Sequence, residues 1–119
     1  MSERNQLILG KKLEDLMDYV YTSVLRDLPK AEKFTMGVDI RSLLWSTERT
    51  LIAFSLFTSG NRMKLLDDVD IAAKTLMKMI ESGIRLRLIS AKRQQVVAEK
   101  LAEIGRIVGG LKKRSSNQK

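Results

Sequence analysis

Three sets of side chains in this sequence have the types and spacing to do chemistry. Asp67, Asp68 and Asp70 could together attract a divalent cation. Ser115 and Ser116 could in principle act as hydroxyl nucleophiles. A run of lysines and arginines after residue 84 could bind a polyanion. The first two sets fail on inspection. The matching carboxylate or imidazole ligands of a metal site are missing, and acidic residues near a helix start ordinarily offset the macrodipole. The serines have no base beside them in sequence, and the chain has no His and no Cys. That removes the commonest general base, the thiolate nucleophile, the zinc-finger ligands and any disulfide framework. No glycine-rich phosphate loop opens a helix, because Gly109-Gly110 reads as the end of one. The expectation is a non-catalytic protein with no cofactor and no metal.

The third set carries the signal. The chain has 119 residues and a net charge of +8. Residues 1–84 contain 12 basic and 12 acidic side chains, so they contribute nothing to that excess. Residues 85–119 contain ten basic side chains against Glu99 and Glu103. Solvated helices ordinarily mix the two signs, so this asymmetry suits a polyanionic partner, with nucleic acid first and an acidic protein or anionic membrane behind it. The candidate contacts are Lys78, Arg85, Arg87, Lys92, Arg93, Lys100, Arg106, Lys112, Lys113 and Arg114. Residues 58–119 contain no aromatic side chain on which a base could stack. Binding should therefore be directed at phosphates, tolerant of sequence and steeply dependent on salt.

The elements that must position these residues are helices. Leu13, Met17, Val20 and Val24 recur at helical spacing up to Pro29, which disfavours helix at Leu28. Lys30 to Thr35 reads as a connection. A second helix is expected from Met36 to Phe57, with Met36, Ile40, Leu43, Leu44, Thr47, Leu51 and Phe54 on one stripe. Trp45, Ile52, Leu56 and Phe57 lie partly off it. A helix apolar on more than one side is either central in its bundle or faces another subunit. Ser59-Gly60-Asn61 should close that helix. A third follows from Arg62 to Leu86, with Gly83 near its end, and Ser90 is a plausible N-cap for the fourth.

In the fourth helix Val97, Leu101, Ile104, Val108 and Leu111 alternate four and three apart. With Leu101 and Val108 as heptad a positions, Lys92, Glu99, Arg106 and Lys113 fall at f, opposite the seam, and Arg93, Lys100 and Arg114 at g. Gly105 and Gly109 either permit close helix approach or merely lower helix propensity. The polar residues 113–119 are expected to form a disordered basic tail beyond a single domain at 1–112. The fold class is all-α, an up-down-up-down four-helix bundle. The longest uncharged run, Thr50 to Asn61, is 12 residues, too short to span a bilayer, and no secretory signal opens the chain, so a cytoplasmic location is expected.

Two stretches resemble a known family. Leu28-Pro29-Lys30-Ala31-Glu32-Lys33-Phe34-Thr35-Met36-Gly37 is similar to the Leu-Pro-Lys-x-Glu-Arg-Phe-Thr-Leu-Gly connection between the first two helices of Avd, the accessory variability determinant of diversity-generating retroelements. Leu101 to Gly110 resembles the Leu-x-Glu-Ile-Gly-Arg-x-Leu-Gly-Gly of that family's last helix, although Leu111 stands where the family often has Trp. The resemblance implies a homopentameric barrel of four-helix protomers that binds a reverse transcriptase, RNA and DNA, and supports error-prone cDNA synthesis without being catalytic. Trp45, Ile52, Leu56 and Phe57 are the candidate subunit interface. The related four-helix proteins of ribosomal RNA intervening sequences, acting as structural or general nucleic-acid-binding oligomers, are the alternative. Their Ser-Ile-Pro-Ser-Asn-Ile-Ala-Glu-like segment is absent here.

Overall fold

A computed structural model describes residues 2–56 and 61–117, with side chains described for 4–56 and 61–115. The described chain is helical in four long stretches. Helix α1 spans Ser2–Tyr19 and runs on without a break into a π-helical segment, Val20–Leu25. A single turn, α2, spans Lys30–Lys33. The remaining helices are α3 (Met36–Leu56), α4 (Arg62–Arg85) and α5 (Ala91–Asn117).

Side-chain pairings give the topology. Lys12 and Asp27 of the first helical stretch meet Glu103 and Arg93 of α5, so these two helices run antiparallel. Lys112 near the end of α5 meets Asp67 and Asp70 near the start of α4. Tyr21 meets Trp45, while Gln6 and Gly10 lie opposite Ile52 and Ser55, which sets α1 antiparallel to α3. Consecutive long helices therefore alternate in direction, as expected for short connections. The assembly is 48 Å long and about 20 Å across, consistent with α5 alone at roughly 1.5 Å per residue.

One apolar core fills the interior. The expected fourth-helix seam, Val97, Leu101, Ile104, Val108 and Leu111, is buried throughout. It meets Leu13, Leu16, Met17, Val20 and Val24 from the first helix, Ile40, Leu44 and Phe54 from α3, and Leu66, Val69, Leu76 and Ile80 from α4. Thr47, the one buried polar side chain among the described residues, donates its hydroxyl to Leu43 O at 2.7 Å. Its placement on the buried stripe therefore leaves no unpaired donor.

Several sequence expectations are corrected. Helix α1 begins at Ser2, well before the periodicity becomes legible at Leu13. The connection after Pro29 contains the α2 turn, whose Glu32 and Lys33 N–H groups bond to Pro29 O. Gly109-Gly110 does not end the last helix. It lies inside α5, and α5 continues to Asn117 through residues expected to be a disordered tail. Leu111 is buried and Arg114 sits beside Asn5 of α1, so an already nucleated helix extends at little cost. A Cβ at Gly105 or Gly109 would meet nothing within 4 Å, so neither permits a close approach within this chain. Phe57 and the Ser59-Gly60 terminator lie outside the described residues.

Candidate nucleic-acid interface

The reversal between α4 and α5 organises the basic surface. Arg87 N–H donates to Ile84 O at 2.9 Å, and Leu88 N–H donates to Gly83 O at 2.7 Å. That is the paired closure of a Schellman turn, which needs one residue in the left-handed region. Here it is Arg87, with φ 63°, the one non-glycine residue at positive φ among those described. Gly83 lacks a side chain where Ile89 folds back over the turn, and a Cβ there would overlap Ile89. Ser90 then caps α5, its Oγ accepting from Arg93 N–H at 3.2 Å.

From this turn the basic residues separate by heptad position. Lys92, Arg106 and Lys113, at f, are exposed. The g residues instead turn toward α1. Arg93 donates to Asp27 at 3.1 Å and sits by Tyr19, and hydrogen bonds to Tyr19 and Asp27 push its pKa up. The Lys100 ammonium lies 5.7 Å from the Tyr19 ring centroid. Arg114 is half-buried beside Asn5. At the e position Lys112 faces α4, paired with Asp67 at 2.9 Å and with Asp70, and those two carboxylates raise its pKa. Lys78, Arg85 and Arg87 are exposed, and Arg85 donates to Ser82 Oγ at 3.3 Å.

Six of the ten sequence candidates therefore reach solvent, and four are partly engaged by other helices. The Asp67, Asp68 and Asp70 carboxylates are matched by Lys112, Lys64 and Lys74. Asp27 and Tyr19 went unnoticed in the sequence. Asp27 is 66 residues from Arg93, and no local spacing links such a pair.

A second surface lies on α3. Trp45, Ile52 and Leu56 are 56%, 58% and 73% exposed. Trp45 Nε1–H donates to Tyr21 OH at 2.9 Å, where the π-helical segment turns Tyr21 outward, and Val38 continues the stripe. Beside it, a groove between α1 and α3 holds Glu14 and Glu48. Partial burial, then Glu14, pushes the Glu48 pKa up. Phe54, by contrast, is core, with the Arg62 guanidinium 3.9 Å from its ring centroid.

A family model described as bAvd-like matches residues 7–115. The chain belongs to the bAvd-like family. The match takes in all of α3 and α4, most of α1 and α5, and all ten candidate basic contacts, so the bundle and the charge asymmetry of this bAvd-like chain lie within one family unit. The family comprises accessory, non-catalytic proteins associated with diversity-generating retroelements. No curated protein matches the sequence. Among the described residues, no helix of this bAvd-like protein is long and apolar enough to cross a membrane.

Proposed function

We propose that this bAvd-like protein is a cytoplasmic accessory factor that holds template RNA and cDNA on a reverse transcriptase through its basic surface, supporting mutagenic cDNA synthesis. The observation that carries this reading is the division of cations on α5. Lys92, Arg106 and Lys113 of the f row, which Glu99 interrupts, are left to solvent, as are Lys78, Arg85 and Arg87, while the e and g cations engage neighbouring helices. A row of exposed charge without base-stacking aromatics suits the evenly spaced phosphates of a nucleic-acid backbone. The exposed α3 stripe of Trp45, Ile52 and Leu56 supports self-association, with the homopentamer as the assembly expected of the family.

Charge reversal at Arg85, Lys92 and Arg106 tests this directly. These side chains are exposed, so the triple variant should keep wild-type helicity by circular dichroism. It should lose RNA retention at about 0.1 M salt and lose cDNA synthesis in a reconstituted reaction with the transcriptase. Unchanged cDNA yield from a folded variant would refute the reading. Wild-type RNA binding that is indifferent to salt would also refute it, and would favour a purely structural oligomer.

A further inference from the structure

We infer that the pocket at the α4–α5 turn is a phosphate contact of the basic surface, gripped by the exposed Arg87 and by the part of Arg93 that its ion pair leaves free, and moderated by Asp27. This deepens the nucleic-acid reading above and rests on it. The pocket is an open depression of about 300 Å³ between the end of the first helix, at Val24 and Asp27, and the turn from Arg87 to Ser90, with Arg93 on its wall.

Three observations converge here. The first is backbone strain. A Schellman turn ordinarily places glycine or asparagine in the left-handed position, because a side chain there crowds the following carbonyl. This turn carries arginine at φ 63°, and its hydrogen bonds to Ile84 O and Gly83 O hold it there. Arg87 lines the pocket, is exposed, and has no ion pair among the described residues.

The second is the donor set. Arg93 gives part of its guanidinium to Asp27 and keeps nearly a third of its side chain exposed. The Ser90 oxygen accepts from Arg93 N–H, and the exposed Ser90 hydroxyl donates to no other side chain or carbonyl among the described residues. Arg87, Ser90 and Arg93 line the same pocket, and guanidinium and hydroxyl donors suit phosphodiester oxygens. The third is charge. Arg87 and Arg93 against Asp27 leave the pocket net positive, and Arg26, Arg85 and Lys92 are exposed close by in sequence. Asp27 is half exposed and competes with a phosphate for Arg93.

Asp27 therefore works as an internal counter-ion that weakens binding, and Arg87 as a contact retained against the conformational preference of its own turn. The test uses the full chain and a fluorescein-labelled polyuridine RNA titrated over a range of salt. Loss of one phosphate contact at about 0.1 M salt weakens binding roughly five- to eightfold and reduces the log–log salt slope by about one.

Arg87→Gly should show both effects while raising Tm by roughly 2–5 °C, since glycine relieves the left-handed strain. Arg87→Lys should retain the wild-type slope. Asp27→Asn should tighten binding severalfold by freeing Arg93 and removing a like charge. If Arg87→Gly keeps the wild-type affinity and slope, or Asp27→Asn binds no more tightly, the inference is wrong even though the wild type binds RNA. Absence of salt-dependent RNA binding by the wild type would instead overturn the functional reading and this inference together.

Discussion

Replacing Gly83 with alanine should destabilise the protein by about 2 kcal/mol, against the ordinary preference of a helix for alanine over glycine. Gly83 is buried near the C-terminus of α4, and its carbonyl accepts from Leu88 N–H at 2.7 Å and Ile89 N–H at 3.1 Å. A methyl at Gly83 would overlap Ile89 Cδ1 and lie 2.8 Å from its Cγ1 and 3.3 Å from its Cβ. A rotamer change could move Cδ1, but the short distance to Cβ also requires the backbone to shift. Two hydrogen bonds to the Gly83 carbonyl resist that shift. The overpacking cost therefore falls near the upper end of its usual range of about 1–3 kcal/mol, and helix propensity returns about 1 kcal/mol.

Urea denaturation followed by circular dichroism, at matched protein concentration, should show a midpoint lowered by about 1 M. The double variant Gly83→Ala with Ile89→Ala should lose less than the sum of the two single variants, by at least about 1 kcal/mol, because the second change removes the colliding atoms. Gly83→Ala as stable as wild type, or strictly additive single effects, would refute this account of the turn.

Further outcomes are expected. Lys112→Met removes the cation between Asp67 and Asp70. The pair is partly exposed and screened, so the loss should be about 1 kcal/mol or less in urea denaturation, while RNA affinity stays near wild type. Glu103 is held below the usual carboxylate range by its hydrogen bond to Lys12 at 2.9 Å. A folded-state pKa lowered in this way stabilises above the unfolded value of about 4.3, and the contribution disappears as pH falls through the folded pKa. Glu103→Gln should therefore lower the urea midpoint at pH 7, and the difference from wild type should vanish as pH falls through the folded-state pKa. Trp45→Glu with Ile52→Glu should reduce the mass seen by light scattering to that of a single chain with helicity intact, because both side chains are exposed outside the core. A mass that does not change would remove the α3 stripe from the interface.

Much of the fold was legible because its signal is local and periodic. The four-three spacing from Val97 to Leu111 identified a buried seam, and every residue of it is buried. Ser90 as the cap of α5 could be read in the same way, since a cap bonds within its own first turn. Helix ends were less legible. Gly109-Gly110 looked like a terminator, but packing of Leu111 and Arg114 carries α5 through it. Propensity is a weak term beside tertiary contact. The π-helical segment at Val20–Leu25, which turns Tyr21 toward Trp45, left no sequence signal that the periodicity could register.

Taken alone, the sequence determined where the charge excess lies and which chemical groups the chain lacks. Charge is additive along a chain, so the ten-to-two ratio after residue 84 holds however the chain folds. Absence of His and Cys likewise needs no coordinates. Only the tertiary structure decided which cations are left wholly to solvent and which are shared with other helices. Arg93, Lys100, Lys112 and Arg114 count equally in composition with Lys92 and Arg106. Yet the first four face Asp27, Tyr19, the Asp67 and Asp70 pair and Asn5 across helix boundaries. Those partners lie far away in sequence, and the pairing depends on which helices flank α5. Electrostatic attraction between exposed charges falls off within about 10 Å at 0.1 M salt, so a cation's role is set by its neighbours in space and not by its place in the chain.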